Sequence, residues 1–410
     1  MRLVRIITLL LCVLMAHVAM RAQQRILPPA DTTDTSLSVS LLTCAPGSEI
    51  YELEGHSGLR LQYAGVDVVA NWGLFDFNSP GFVYRFVKGE TDYCVGLIPT
   101  RAFVTAYADD GRRVTEQTLN LTPRQAAEVV ELVNDNLQPA NRVYRYNYVL
   151  DNCATRPLCI VERAIGDSIN IPCGLAEFDA STTFRNVMQH FHAGYPWYQF
   201  GIDLALGSGI DYPIDTRSTA FAPEVLRQLA ATATIGHGID TRPLVTSTAI
   251  LADGPAQGTI LPHTPWWRTP MAVALVVLAV SLLLTWRDMR HRRTSQWWDF
   301  TLFLVYGIEG CVIAFLVFVS THEASSPNYL ILWLNPLCLI VPALVWLRRC
   351  RKALAVYHGF NLAAIATYAI CIMAGMQYIN PAFLPLILSG ALRSFSYIYI
   401  YREPKGPKQQ

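Results

Sequence analysis

Five apolar segments close this chain, at about 270–286, 299–320, 329–347, 353–376 and 383–401. Each is near the length that crosses a bilayer, the first and last being short. Backbone in hydrocarbon must bond to itself, so the spacing predicts a bundle of five helices. The loops set its direction. Arg287, Arg290, Arg292 and Arg293 follow the first segment, Arg348, Arg349, Arg351 and Lys352 the third, and Arg402, Lys405 and Lys408 the fifth. The alternate loops, 321–328 and 377–382, contain no Lys or Arg. Basic loops stay in the cytoplasm, which places the C-terminus there and everything before the first span on the other side. Trp266, Trp267, Trp297, Trp298, Tyr397, Tyr399 and Tyr401 stand at span ends, where interfacial aromatics belong.

The N-terminus gives the same orientation independently. Arg2 and Arg5 precede an apolar run from Ile6 to Val18, with small residues around Ala19 and Ala22. Residues 1–22 read as a secretory signal peptide. Leu11 before Cys12 excludes a lipobox cysteine. Net charge is only +1, so no bulk field draws nucleic acid, and no nucleic-acid partner is expected.

Between signal and membrane lies an exported head, 23–260, with a Gly/Pro/Thr linker at 253–265 leading to the membrane domain, 261–410. Residues 23–36 read as a flexible leader. Alternation from Leu37 to Leu42 predicts a strand ending at the Cys44–Gly47 turn. Gly58–Tyr63 and Val66–Trp72 flank Ala64-Gly65 as a hairpin, and Tyr93–Ile98 is a further strand. Thr122, Pro123 and Gln125 start a helix over 122–137 with a capping box. A strand over Tyr144–Leu150 and a helix through about Ile165 follow. Thr183–Phe191 reads as helical, and residues 195–200 form an aromatic cluster. The head is therefore α+β.

Cys153 carries the chemistry of that head. It follows Asp151-Asn152, a turn and cap, and precedes a helical run. A helix N-terminus favours thiolate over thiol, although Pro157 would crowd the Cys153 carbonyl if the helix began at Cys153. The bland alternative is a small buried residue. His56, in Gly55-His56-Ser57-Gly58, is the candidate base, set between glycines that permit close approach; a structural histidine is its alternative. Asn71, on the strand after that of His56, is the candidate third group that fixes the imidazole tautomer, with Asp67 second. Asp151 and Asn152 are candidates for shaping an oxyanion site and are equally explained as caps. His190 and His192 share no helix face and join no carboxylate cluster, so neither a metal nor another cofactor is expected.

These motifs resemble a known arrangement. Gly-His-Ser-Gly58, then Val-Val-Ala-Asn71, then Asp-Asn-Cys153 look like a circularly permuted papain-like fold of the NlpC-like and lecithin–retinol acyltransferase-like kind. The chain departs from the acyltransferases in having Asn71 as third residue and Ala154-Thr155 after the cysteine. The whole chain more closely resembles the Lnb-type lipoprotein N-acyltransferases. It shares Thr43-Cys-Ala-Pro-Gly47, Gly55-His-Ser-Gly58, Asn71-Trp-Gly73 with Phe75-Asp-Phe77, Asp151-Asn-Cys-Ala-Thr-Arg156, and the multi-span tail. The resemblance implies an inner-membrane enzyme with Cys153 as nucleophile and His56 and Asn71 as its partners. It would move an acyl chain from a phospholipid, through a thioester, to the α-amine of diacylated lipoproteins. One rival is a cysteine hydrolase of cell-wall peptides; another is a non-enzymatic membrane module with a structural cysteine.

Five cysteines fall in the head (Cys44, Cys94, Cys153, Cys159 and Cys173), an odd count that leaves one unpaired in an oxidising compartment; Cys153 is the expected free thiol, and the others stay open. Glu309 and Arg393 fall near mid-span of the second and fifth segments, where ions need partners, and are expected to face each other. Asn335, Asn361 and His322 are expected to join helices or meet lipid headgroups. Trp197-Tyr198 and Phe200–Leu206 either dip into the membrane interface or pack as core.

Overall fold

The computed structural model describes residues 25–402 apart from 77, 167–168, 172–174, 237 and 255–262. The expected signal peptide, Cys173 and most of the linker lie outside the described residues.

The head is built on a seven-stranded antiparallel sheet in the order β10-β5-β1-β2-β3-β4-β6. In chain order these are β1 (Ser38–Cys44), β2 (His56–Tyr63), β3 (Val66–Leu74), β4 (Asp92–Pro99), β5 (Val114–Leu119), β6 (Val143–Arg145) and β10 (Val245–Ala252). Two-residue strands β7 (Ile169–Asn170), β8 (Thr234–Ile235) and β9 (Arg242–Pro243) form a small second sheet. The β2–β3 hairpin turns through Ala64 and Gly65, both at positive φ, as a two-residue hairpin requires. Helix Pro123–Leu137 carries the expected Thr122–Gln125 capping box and buries Val129, Val130 and Val133. With helix Thr155–Ile165 it covers one face of the sheet, and Leu41, Leu59, Leu61 and Trp72 share the same core.

Two local readings change. The Tyr144–Leu150 strand stops at Arg145, because Asn147 accepts from the amides of Val149 and Leu150 and turns the chain back. Strands β5 and β10 extend the sheet beyond the expected strands; β10 is an edge strand beside the linker.

The membrane domain has four long apolar helices: Pro270–His291, Gln296–Phe318, Arg351–Met373 and Phe383–Arg402. The third expected segment is instead a series of broken turns, Tyr329–Leu332, Pro336–Leu339 and Ile340–Leu344, shorter than the four candidate spans. Pro336 starts a new turn, and Asn335 meets the freed backbone: its Oδ1 accepts from Leu337 N and its amide donates to Leu332 O. Gly310 lies so close to this break that a Cβ would stand 2.4 Å from Asn335 backbone. Glycine in the neighbouring helix is what lets the irregular segment pack.

Arg393 does not meet Glu309. Its guanidinium bonds Asp299 at 2.6 Å, Asp288 at 2.7 Å and Thr285 at 3.2 Å, all buried. Those carboxylates come from the end of the first span and the start of the second, and a helix can place them nearer Arg393 than a residue a further three turns along. Glu309 is half-buried and has no ion-pair or hydrogen-bond partner among the described residues. Asn361 donates to Ser394, gluing two helices.

The head rests on the loops that lack Lys and Arg. Thr321 N donates to Lys88 O, and His322 bonds the Phe86 carbonyl at 2.7 Å. Asn380 donates to Asp203. The helix Pro196–Ala205 docks by packing Phe200 on Phe383 at 5.0 Å, and the exposed Trp197 donates to Arg268 O at the first span. Residues 197–206 therefore join the head to the membrane domain.

Candidate active site

Helix Thr155–Ile165 begins two residues after Cys153. Asn152 forms an Asx turn ahead of it: Oδ1 accepts from the amides of Ala154 and Thr155 at 2.8 and 3.0 Å. Both hydrogens of its amide are engaged, on Tyr148 O and Phe221 O. Asp151 binds Arg156 through both oxygens. Both side chains are thus engaged at the turn before the helix.

Pro157 has no amide for the Cys153 carbonyl four residues back. Ser57 supplies the missing donor, its Oγ bonding that carbonyl at 2.7 Å. This bond ties the Cys153 turn to the start of β2, directly beside His56. Gly73 allows the approach from the other side: it sits at φ +88, and a Cβ there would lie 3.7 Å from Cys153 Cβ. Gly55, at φ +85, brings the chain within 2.6 Å (as an ideal Cβ would measure it) of the Cys44 carbonyl. Any side chain there would push the His56 segment off β1.

His56 Nε2 lies 2.6 Å from Asn71 Oδ1. The imidazole donates, so the neutral ring keeps its Nδ1 lone pair free. Tyr107 stacks on the ring with 6.2 Å between centroids and 15° between planes. Asn71 is buried, and the β2–β3 register sets it diagonally across from His56. Asp67, the second candidate, is engaged elsewhere with Arg60 and Thr100.

Cys153 is a buried free thiol, as are Cys44 and (exposed) Cys159. Burial pushes the Cys153 thiol up to about 11. Hydrogen bonds from the Ser57 amide, the Tyr146 hydroxyl and its own amide oppose that rise. Burial pushes His56 down to about 4, against the Asn71 bond. These shifts favour thiol and neutral imidazole near neutral pH. The amides of Ser57 and Cys153 are both aimed at the sulfur.

From Tyr146 an aromatic run leads away from the thiol. Tyr93 follows at 4.4 Å, Phe75 at 5.0 Å, Phe82 at 5.7 Å, Phe86 at 5.9 Å and His322 at 6.1 Å. It ends on helix Phe82–Lys88, where Val83, Tyr84 and Phe86 are exposed and Tyr84 touches Phe315 of the second span.

Residues 29–189 match the Lnb N-terminal periplasmic domain, and residues 262–404 match the Lnb transmembrane domain. The chain belongs to the Lnb family. No curated protein and no solved structure matches it. The Lnb N-terminal match carries His56, Asn71 and Cys153, and it names the compartment of the head as periplasmic.

Several residues at this Lnb site escaped the sequence reading. Ser57 and Tyr146 lay inside motifs already singled out, but their contacts depend on the fold. Glu54, two residues before His56, carries no signal in the sequence reading, and His192 enters it only as a rejected metal ligand.

Proposed function

We propose that this Lnb protein is a cysteine-dependent lipoprotein N-acyltransferase of the inner membrane, its C-terminus in the cytoplasm. The observation that carries the reading is the His56–Asn71 bond beside Cys153, in a head seated on membrane helices. His56 Nδ1 takes the Cys153 proton as sulfur attacks the ester carbonyl of a phospholipid. The amides of Ser57 and Cys153 hold the oxyanion, and His56 returns the proton to the leaving alkoxide. The thioester is more reactive toward amines than the ester it replaced. The α-amine of a diacylglyceryl-cysteine lipoprotein then takes the acyl chain and frees the thiol.

The aromatic run from Tyr146 to Phe86 supports a lipid substrate. It gives an acyl chain an apolar path between the bilayer and a thiol that water reaches poorly. No metal or organic cofactor is needed for this chemistry. Mass spectrometry of lipoprotein N-termini in cells with and without the protein tests the reading. Its removal should leave the N-terminal cysteine without one acyl chain; unchanged N-acylation would refute it.

A further inference from the structure

Glu54 and His192 stand at the same centre and have no part in the steps above. Glu54 Oε1 and His192 Nε2 are 3.7 Å apart, both side chains are buried, and neither atom has a hydrogen-bond partner. Buried polar atoms without partners are costly, so the pair needs a reason.

The neighbours fix where protons sit. Gln199 Nε2 donates to Asp203 at 2.8 Å, and Asp203 is held by Arg185. The Gln199 oxygen therefore faces His192 Nδ1, 2.9 Å away, and accepts from it. Neutral His192 thus turns the Nε2 lone pair toward Glu54. An ionised Glu54 carboxylate facing that lone pair in a buried site is disfavoured, and a proton on the carboxyl relieves it. The other titratable groups around Glu54 are Tyr146, Tyr148, Tyr198 and Cys153. Burial pushes Glu54 up to about 8 against a Tyr148 hydrogen bond, with negative charge on Cys153 adding to the rise. Burial pushes His192 down to about 4. The exchangeable proton rests on Glu54 near neutrality and leaves as pH rises.

The amine half of the reaction needs such a group. An α-amine titrates at about 7.7–8.0, so the acceptor arrives largely as ammonium. Forming the amide makes the N–C bond, breaks the C–S bond and takes two protons from nitrogen. Cys153 recovers one through His56; the second needs another base. Resting on the reading above, we propose that Glu54 is a second catalytic base, positioned by His192, and that it takes from the α-ammonium the proton Cys153 does not recover.

The test uses full-length protein in lipid nanodiscs with a labelled phospholipid and a synthetic diacylglyceryl-cysteine peptide. Loading of Cys153 and transfer to the peptide are timed separately for wild type, Glu54→Gln and His192→Gln. Glu54→Gln should slow transfer about 10²-fold or more while slowing loading far less. Transfer should rise toward pH 8 in both proteins as the acceptor amine itself titrates, with Glu54→Gln staying well below wild type from about pH 6 to 9. Equal slowing of both steps, or unchanged transfer, would overturn the inference while leaving the thioester reading intact. If Glu54→Gln does not fold, a normal transfer rate in His192→Gln overturns it alone. A wild-type protein that never loads would overturn the acyltransfer reading and this inference with it.

Discussion

His56 Nε2 donates to Asn71 Oδ1 across 2.6 Å, and that bond decides which imidazole nitrogen is left to act. Asn71→Ala frees the ring to take the other tautomer and to turn. Thioester formation should fall roughly 10–100-fold, with folding retained, whereas His56→Gln should cost about 10²–10⁴-fold. Rates of Cys153 loading from labelled phospholipid check both. A normal rate in Asn71→Ala would remove Asn71 from the site.

Cys153 should be a reluctant nucleophile at rest. Its thiol is pushed up to about 11 and His56 down to about 4, so no thiolate–imidazolium pair stands ready at pH 7. Alkylation by iodoacetamide should be slow at pH 7 and climb about tenfold per pH unit toward pH 11. A plateau below pH 7 would show a preformed ion pair and contradict the assignment.

The same residues make stability depend on pH with opposite signs. Folded His56 binds its proton near pH 4, against 6.5 for the free ring, so the unfolded chain holds more protons between those values. Its contribution is present above pH 6.5 and lost as pH falls toward 4. Folded Glu54 keeps its proton up to about pH 8, against 4.5 for a free carboxyl, so its contribution is present below 4.5 and lost as pH rises toward 8. Glu54→Gln should therefore melt above wild type by a margin that grows between pH 5 and 8. A margin that shrinks over that range would mean the carboxyl is ionised in the folded protein.

Arg393→Leu should destabilise the membrane domain by about 3–5 kcal/mol, because it strands the buried carboxylates of Asp288 and Asp299. Arg402→Leu, at an exposed helix end, should change little. Glu309→Gln should also be mild. Thermal melts of the three variants in detergent decide; equal loss in Arg393→Leu and Arg402→Leu would contradict the buried cluster.

Local signals in the sequence carried much of this architecture. The Thr122–Gln125 capping box and the Ala64-Gly65 turn are set by residues within four positions of one another, and the structure has both. Apolar length identified the membrane segments, but composition does not reveal that Asn335-Pro336 breaks the third into separate turns. The error on Glu309 came from counting depth along each span. Arg393 chose Asp288 and Asp299, which sequence position assigned to the cytoplasmic ends. Pro157 seemed a difficulty for Cys153 until Ser57, nearly a hundred residues away, met the exposed carbonyl. His192 looked unremarkable because its partner, Glu54, lies far off in the chain and close only in the fold.

The central claim is that Cys153 carries the acyl chain. Intact-mass spectrometry of the full-length protein, taken after brief exposure to a phospholipid of one known acyl chain, reads this directly. The account expects a mass gain of one acyl group on Cys153, removed by hydroxylamine, discharged by a diacylglyceryl-cysteine peptide and absent from Cys153→Ala. Acylation of the peptide while Cys153 stays unmodified, or undiminished acylation by Cys153→Ala, would contradict it.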